Sequence, residues 1–453
     1  MLWFDERLGV AQWARSGLRK IFPDHWSFLL GEVALFCLVT LMLTGVFLTL
    51  FYVPDATPVT YDGPYLPLQG HEVSAAYRSV LDISFSVQAG MVMRQVHHWA
   101  ALIFVAAIVV HMLRVFFTGA FRKPREINWL VGIGLITLSL AMGVTGYSLP
   151  DDLLSGTGVR ILYSVALSIP FIGPYLAFLI FGGEFPTATI VSRLFVFHVM
   201  LLPALLLGGV AVHLAILWRQ KHTQFPGPGR TEHNVVGKAF WPSQVFKSFG
   251  LMLLTAALLA LMGGLVQINP VWTYGPFIPT TVSAPAQPDW YIGWVDGALR
   301  LFPPIEFTAL GVTIPSPFIP GVLLPGIAFG LLTLWPFVER RFLTHDDAAH
   351  ELLDRPRDNA LRTSLGVAAV LVFVIATLAG GNDVAAVILD VEVETMTNVL
   401  RVAIFAVPLL GFLVTWRICH ELRRKEREVG EAPRRVVLRR TPEGGFEEVE
   451  PTE

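Results

Sequence analysis

Eight long apolar segments constrain this chain more than any other feature of its sequence. A helix needs about 20 apolar residues to cross a bilayer, and each segment approaches or exceeds that length. They are Leu29–Val53, Gln88–Phe117, Trp129–Leu149, Ser192–Trp218, Phe249–Ile268, Ile319–Val338, Thr363–Ala379 and Val399–Cys419. Hydrophobic residues make up 54% of the chain and charged residues 15%. We therefore predict an all-α integral membrane protein with eight transmembrane helices, and we expect no nucleic-acid partner.

The loops between these segments alternate in charge. Connections 118–128, 219–248 and 339–362 are rich in Lys and Arg, whereas the other connections are acidic and hold few basic residues. Basic loops are retained on the cytoplasmic side of membrane proteins. We therefore predict a multi-pass protein of the cell membrane with both termini in the cytoplasm and the acidic loops outside.

The same pattern divides the chain into segments. We predict a surface helix over 1–28, a four-helix core over 29–218, a cytoplasmic loop over 219–248, a second four-helix domain over 249–419 that includes loop 269–318, and a charged cytoplasmic tail over 420–453. The first segment mixes aromatic and basic residues, which suits a helix lying on a membrane. The tail is dense in Arg and Glu, so we expect it to be solvated and disordered.

Two spans each carry two histidines on one helix face. The 14-residue step from His97 to His111 falls roughly 40° short of four turns and covers ~21 Å. The 15-residue step from His198 to His213 runs about 60° past four turns, and the intervening Pro203 and Gly208-Gly209 can let the helix kink or open locally. The charge pattern places His97 with His198 near the outer face and His111 with His213 near the inner face.

Four polar rings at matching depths in hydrocarbon each need a partner, which favours ligands over packing. Haem iron can take one histidine from each side, so we predict two haems between these spans. The two cysteines, Cys37 and Cys419, do not form a C-x-x-C-H attachment site, so the haems would be non-covalent. His98 points to another helix face, although a pair of His98 with Met112 is a formal alternative.

Small and basic residues recur in step with the histidines. The glycine pairs Gly31 with Gly45 and Gly132 with Gly146 are each 14 residues apart. We expect the missing side chains to let a porphyrin lie against the helix backbone, although packing between helices is the alternative. Arg94 and Arg114 each lie three residues from a histidine and could bind haem propionates, while snorkelling to lipid headgroups also suits Arg114.

Five short motifs together resemble one family over essentially the whole chain. They are Leu43-Thr44-Gly45-Val46-Phe47-Leu48, Arg94-x-x-His97, His111-x-x-Arg114, Gly146-Tyr147-Ser148-Leu149-Pro150 and Pro288-Asp289-Trp290-Tyr291. The chain is similar to cytochrome b of the respiratory quinol–cytochrome c reductases, the bc complexes. The resemblance implies a four-helix core with two b-type haems, of low potential outside and high potential inside, and two quinone sites. It also implies a proton-translocating dimeric complex with a Rieske iron–sulfur protein and a c-type cytochrome.

The chain departs from the common family pattern at several positions. Asp289 replaces the glutamate of Pro-Glu-Trp-Tyr, which shortens the reach of the carboxylate by one methylene. Lys247-Ser248 replaces a Lys-Asp pair. The 15-residue histidine spacing resembles the photosynthetic and Gram-positive branches, and the resemblance to the Gram-positive, actinobacterial branch favours menaquinone as the quinone.

Quinol oxidation removes two protons and two electrons, so the outer site needs a proton acceptor. Asp289 in an outward loop is such a group, and Tyr291 and Tyr147 could hydrogen-bond the quinol. Further expected contacts are Pro288, Trp290 and Gly158, with short surface helices over residues 156–173. For the inner quinone site the polar candidates are Trp218, His222 and Lys247, of which His222 could titrate near neutral pH.

Three other functional classes remain open at this point. A dihaem membrane anchor of a quinone-linked dehydrogenase or hydrogenase also uses paired histidines, although usually in fewer spans. A transporter could use Glu32 and the histidines as intramembrane polar sites. A haem-free scaffold of a respiratory assembly is the third.

Overall fold

The computed structural model describes residues 5–7, 10–185, 187–281, 287–309, 311–429, 437–441 and 445–449. Eight of its helices are long and apolar enough to cross a membrane. We number them in chain order as spans one to eight: Trp26–Thr49, Gly90–Phe117, Glu126–Tyr147, Ile190–Gln220, Phe240–Leu265, Ile319–Thr344, Ala360–Ala379 and Val393–Glu426. The predicted all-α membrane fold with eight transmembrane helices is confirmed.

Shorter elements fill the connections. The helices are Val10–Leu18, Leu66–Leu68, Ala75–Phe85, Leu153–Leu167, Gly173–Phe181, Val271–Tyr274, Trp290–Leu301, Pro356–Asp358 and Asn382–Leu389. The antiparallel strand pairs are Ile21–Phe22 with Lys238–Ala239, Pro58–Thr60 with Glu72–Ser74, Phe307–Ala309 with Val312–Ile314, and Val437–Arg440 with Phe446–Val449. In the predicted N-terminal surface segment, residues 1–4 and 8–9 lie outside the described residues.

The main apolar core lies between spans one, two, four and five. Small buried side chains such as Ala34 and Cys37 of span one and Ala100 of span two allow the helices to approach closely. Leu206 of span four and Leu259 of span five are also buried in this core. The histidine-bearing spans therefore belong to one packed unit.

Span four contains the local opening that the histidine spacing predicts. Residues Phe197–Leu201 form a π-helical turn, in which the Leu202 N–H donates to the Phe197 carbonyl five residues earlier. Pro203 follows directly, and a proline ring clashes with the carbonyl four residues before it, here that of Val199. A π turn adds one residue to the helix, so the 15-residue step from His198 to His213 acts like the 14-residue step in span two.

The three basic loops meet at one end of the molecule. Buried Arg362, 1% exposed, donates to Glu339 at 2.7 Å and to Asp354 at 2.5 Å. Arg125 pairs with Glu351 at 2.8 Å and joins loop 118–128 to loop 339–362, and the Gln224 N–H of loop 219–248 donates to the Glu351 carbonyl at 2.9 Å. These contacts place the basic loops on the same side of the fold, as the charge pattern predicts.

The charged tail differs from our expectation of disorder. The last helix runs from Val393 to Val429, well past the apolar stretch, because Arg, Lys and Glu are good helix formers outside the membrane. Beyond it, the strands Val437–Arg440 and Phe446–Val449 pair, and the Phe446 N–H donates to the Val235 carbonyl at 3.0 Å. Where it is described, the tail is therefore folded and contacts loop 219–248.

Candidate functional site

Span two and span four bring the predicted outer histidines together. The ring centroids of His97 and His198 lie 6.3 Å apart, with the ring planes at 73°. Two metal–nitrogen bonds of about 2 Å, plus roughly 1.1 Å from each nitrogen to its ring centre, give a separation of about 6 Å. The spacing fits one iron between the two rings.

Hydrogen bonds fix which nitrogen of each outer ring is free. The Thr44 hydroxyl donates to the Thr40 carbonyl at 2.7 Å and therefore accepts from Nδ1 of His97 at 2.9 Å. Nδ1 of His198 lies 3.1 Å from the Met142 carbonyl, which can only accept. Both rings therefore carry their proton on Nδ1 and present the Nε2 lone pair, the arrangement that a metal-ligating histidine needs.

Thr44 and Thr145, which contact the outer histidines, were not among the predicted site residues. Thr145 Oγ1 lies 3.2 Å from Nδ1 of His198, the position that Thr44 takes beside His97. Both threonines precede a glycine, in Thr44-Gly45 and Thr145-Gly146. The recurrence of this dipeptide on spans one and three was a signal that could have identified them.

The inner pair has the same spacing with a different environment. The ring centroids of His111 and His213 lie 6.4 Å apart, with the planes at 79°. Nδ1 of each ring is buried and has no hydrogen-bond partner of normal geometry among the residues that the structure describes, although the Asn128 backbone lies within weak hydrogen-bonding reach of the His213 ring. The two pairs thus have similar ring separations but differ in the hydrogen bonds made at Nδ1.

The four glycines lie against the histidine rings. An added Cβ would lie 2.5 Å from Cε1 of His198 at Gly146, 3.3 Å from Cε1 of His97 at Gly45 and 3.9 Å from Cε1 of His213 at Gly132. At Gly31 the nearest atom is Cε1 of His111, at 3.4 Å. The observed neighbour of each glycine is therefore the imidazole, and contact with a porphyrin remains a prediction.

Two buried arginines near the pairs have unused donors. Nη1 of Arg94 donates to the Asn269 carbonyl at 3.0 Å, and the Arg114 guanidinium lies 4.3 Å from the centre of the Phe28 ring. Nε and Nη2 of both arginines are buried and have no hydrogen-bond partner among the described residues. Unused cationic donors suit an anionic group, so these residues fit the propionates of a haem.

One cavity connects the outer histidines with the acidic loop. It measures about 260 Å³ and is lined mainly by apolar side chains. Its polar lining includes His97, His198, Tyr147, Asp289 and Tyr291. A molecule bound beside Asp289 would therefore share its cavity with the outer histidine pair.

Asp289 directly precedes helix Trp290–Leu301, and both oxygens of its carboxylate accept hydrogen bonds. Oδ1 accepts from Nε2 of His98 at 2.9 Å, and Oδ2 accepts from the Tyr291 hydroxyl at 2.9 Å. Burial and the adjacent Asp289 raise the pKa of Tyr291 well above its usual value, so this hydroxyl stays protonated and donates. A Cβ at Gly143 would lie 2.5 Å from the same hydroxyl, so span three needs glycine there.

Helix Trp290–Leu301 is anchored on span seven. A Cβ at Gly297 would lie 1.7 Å from the Ala376 carbonyl oxygen, so only glycine permits this approach. Arg300 then binds Asp296 at 2.8 Å and Asp383 at 3.1 Å. These contacts join the helix that follows Asp289 to span seven and to helix Asn382–Leu389.

The segment predicted as surface helices forms Leu153–Leu167 and Gly173–Phe181. Asp152 caps the first of them by accepting from the Ser155 N–H at 2.7 Å. Burial raises the pKa of Asp152 to about 6. A Cβ at Gly158 would lie 3.5 Å from Tyr147, so this helix lies beside the cavity-lining tyrosine, while Trp290 packs edge-on against Tyr291.

The inner polar candidates take three different roles. Lys247 pairs with Asp24 at the surface, and the Lys20 ammonium lies 4.4 Å from the centre of the Trp218 ring. The ring centroids of His222 and Phe22 lie 4.5 Å apart. Burial, followed by nearby Lys20, Arg114 and Arg125, lowers the pKa of His222 to about 3. Our expectation that His222 titrates near neutral pH is therefore wrong, because its ring is buried among cations.

Glu32 adds an unexpected carboxylate near the inner pair. Its Oε1 accepts from Nε2 of Gln244 at 2.9 Å, and its Oε2 is buried without a hydrogen-bond partner among the described residues. It follows Gly31, which lies against His111. An acidic residue in an apolar span is a sequence signal for a functional site. Glu32 was considered above only as an intramembrane site of a transporter.

Comparison with known proteins decides the family. A family model described as "Cytochrome b(N-terminal)/b6/petB" matches residues 102–276. The cytochrome bc1 complex cytochrome b subunit of Corynebacterium efficiens is 48% identical over 98% of this chain and 82% of its own length. The chain belongs to the cytochrome b subunit family of bc1 complexes. The subunits of Mycobacterium tuberculosis and Streptomyces coelicolor are 48% and 46% identical, over 98% and 99% of this chain and 81% and 82% of their own lengths.

A solved structure supports the fold of this cytochrome b. "Hyperthermophilic respiratory Complex III" aligns with a TM-score of 0.66 at 20% identity, covering 93% of this chain and 98% of the other. The actinobacterial relatives confirm the family and the branch that the sequence motifs indicate. They give no support to a dehydrogenase or hydrogenase anchor.

Proposed function

We propose that this chain is the haem-carrying, quinol-oxidising and quinone-reducing subunit of a proton-translocating quinol–cytochrome c reductase. The observation that carries the proposal is the single cavity shared by the outer histidine pair and Asp289. A substrate bound in this cavity would lie beside both the proposed proton acceptor and the proposed outer haem site. In the proposed membrane orientation, both termini lie in the cytoplasm and the chain is divided into the segments predicted above.

His97 with His198 and His111 with His213 would each hold one non-covalent b-type haem. Arg94 and Arg114 would bind the propionates through their unused donors. When bound, the two haems supply a path for single electrons between the two faces of the membrane.

At the outer site the protein's own residues handle the proton. A carboxylate has about four lone-pair positions, and two hydrogen bonds leave Asp289 able to accept the proton of a quinol hydroxyl. Tyr147 lines the same cavity and can hydrogen-bond the ring oxygen. The apolar walls exclude water, which strengthens these polar contacts. Pro288, Trp290 and Gly158 complete the proposed lining.

At the inner site we propose Trp218, His222 and Lys247 as the quinone contacts. His222 would act as a neutral hydrogen-bonding group rather than as a proton donor, given its lowered pKa. We propose menaquinone as the quinone, and a Rieske iron–sulfur protein and a c-type cytochrome as partners in a dimeric complex. Identification of the quinone that co-purifies with the complex tests the substrate.

The outer-site proposal is tested with Asp289→Asn, which keeps the size of the side chain and removes the base. A positioned general base contributes about 10² to 10⁴ in rate, so quinol-dependent cytochrome c reduction by the purified complex should fall by that order with both haem spectra intact. The control is Asp62→Asn, another acidic residue of the outer loops, 74% exposed and paired with Arg78. Parent rates in Asp289→Asn would remove the carboxylate from proton transfer.

A further inference from the structure

We propose that His98 is a positioning residue of the outer site, which holds the Asp289 carboxylate in the cavity through Nε2. The inference rests on the proposed role of Asp289 as proton acceptor. It assigns a purpose to the second histidine of the His97-His98 pair, whose ring does not face His198.

The contact is direct and partly shielded from water. Nε2 of His98 lies 2.9 Å from Oδ1 of Asp289, and the two side chains are only 14% and 15% exposed. An ionised carboxylate only accepts hydrogen bonds, so Nε2 carries the proton and donates. His98 needs only this N–H, which a neutral imidazole can supply.

The Asp289 carboxylate makes this contact in place of the backbone hydrogen bond that is usual at its position. It occupies the N-cap position of helix Trp290–Leu301 with extended backbone angles (φ −50°, ψ 144°). An aspartate at this position usually accepts from a backbone N–H of the first helical turn. Among the described residues, its carboxylate makes no such bond. Both oxygens instead accept from side chains, His98 and Tyr291, which turn the carboxylate toward the cavity.

The two donors belong to different parts of the fold. Tyr291 is on the same helix as Asp289, whereas His98 is on span two, immediately after His97. Successive helical residues point about 100° apart, so one turn of span two directs His97 at His198 and His98 at the acidic loop. His98 thereby fixes the distance between the proposed proton acceptor and the outer histidine pair.

The length of the side chain explains why a histidine suits position 98. Aspartate reaches one methylene less far than the glutamate common in this family, so a donor from span two must extend further to meet it. Glutamine carries its terminal N–H₂ at about the reach of Nε2, whereas asparagine ends roughly one bond shorter.

The first experiment compares His98→Gln, His98→Asn and His98→Ala in the purified complex. Misplacement of a reacting group by about 1 Å can cost on the order of 10²-fold. We expect kcat for quinol oxidation to fall about 10- to 100-fold in His98→Ala and His98→Asn, with KM changed less than threefold and both haems retained. His98→Gln should recover most of the rate. Equal rates in the Gln and Asn variants, whether high or low, would overturn the positioning role.

The second experiment places His98→Ala in the Asp289→Asn background. Without a carboxylate to position, the second substitution should cost less than threefold, since the two residues act as a unit. If His98 served only to pack span two, its full cost would appear in both backgrounds. That result would overturn the inference.

Infrared spectroscopy separates failure of this inference from failure of the proposed function. The parent-minus-Asp289→Asn spectrum identifies the carboxylate band of Asp289, and loss of the His98 hydrogen bond should shift that band in His98→Ala but not in His98→Gln. If Asp289→Asn were fully active while the band shifted, the function proposed for Asp289 would fail and the contact would stand. An impaired Asp289→Asn with parent-like His98→Ala rates and an unshifted band would leave the function and remove His98.

Discussion

Adding one methyl group to span three should distinguish the two histidine pairs. Gly146 and Gly132 lie 14 residues apart on this span and face His198 and His213, but a Cβ would lie 2.5 Å from Cε1 of His198 and 3.9 Å from Cε1 of His213. Ordinary contact begins at 3.4 Å. The His198 ring or the span must therefore move by about 0.9 Å in Gly146→Ala, whereas nothing needs to move in Gly132→Ala.

This displacement is large for a metal ligand, since metal–nitrogen distances are held to about ±0.2 Å. Overpacking of this kind costs about 1–3 kcal/mol, which corresponds to roughly 5- to 150-fold weaker binding of the outer haem. The gain in helix propensity from Gly to Ala is the same in both variants, so the comparison cancels it.

The assay is haem transfer from the purified complex to excess apomyoglobin, together with redox titration of each haem. We expect Gly146→Ala to release the outer haem faster and to shift its potential, and Gly132→Ala to match the parent. Gly45→Ala, at 3.3 Å, should fall between them. Identical behaviour of the Gly146 and Gly132 variants would show that the imidazole contacts do not constrain the ligands.

Three further predictions concern the histidine ligands, the Thr44 hydroxyl and the buried Arg362 cluster. His97→Ala or His198→Ala should remove one haem signal and His111→Ala or His213→Ala the other, and loss of one haem in His98→Ala with retention of both in His97→Ala would reverse our choice of ligand. Thr44→Val keeps the side-chain shape but removes the acceptor for Nδ1 of His97, so the potential of the outer haem should rise while the inner potential stays constant in a redox titration. Arg362→Met removes the cation paired with Glu339, which is 3% exposed, while Asp354 keeps its pair with Arg122 at 3.0 Å, so the expected loss is about 3–5 kcal/mol of stability. Thermal unfolding in detergent measures this loss, and Arg424→Met at an exposed pair should change it little.

Periodic features of the sequence predicted most of the fold. Hydropathy located all eight spans because each depends only on local composition. The 14-residue and 15-residue steps predicted that two histidines share one face of each span because helix geometry is regular, and the loop charges predicted which histidines pair between the spans. The mismatch of one residue between the steps indicated a local opening at Pro203 or Gly208-Gly209, and the structure places it just before Pro203, at Phe197–Leu201.

Contacts without a period could not be found in this way. His98 and Asp289 are 191 residues apart, and their contact depends on how helix Trp290–Leu301 seats on span seven through Gly297. The lowered pKa of His222 depends on Lys20, Arg114 and Arg125, which come from three separate segments. Tertiary packing sets both, and no local pattern contains it.

The unequal support of the two histidine pairs predicts which of the two proposed haems has the lower potential. At the outer pair, Nδ1 of His97 donates to Thr44 and Nδ1 of His198 to the Met142 carbonyl, and such bonds make an imidazole a stronger electron donor to its metal. Among the described residues, the inner rings have no Nδ1 partner of normal geometry, and only a weak contact of His213 with the Asn128 backbone. A stronger donor stabilises the oxidised iron, so the outer haem should have the lower potential. The cavity that holds Asp289 is also lined by the outer pair, so a quinol bound there would lie beside the site with the lower expected potential, and His111 with His213 would hold the haem of higher potential.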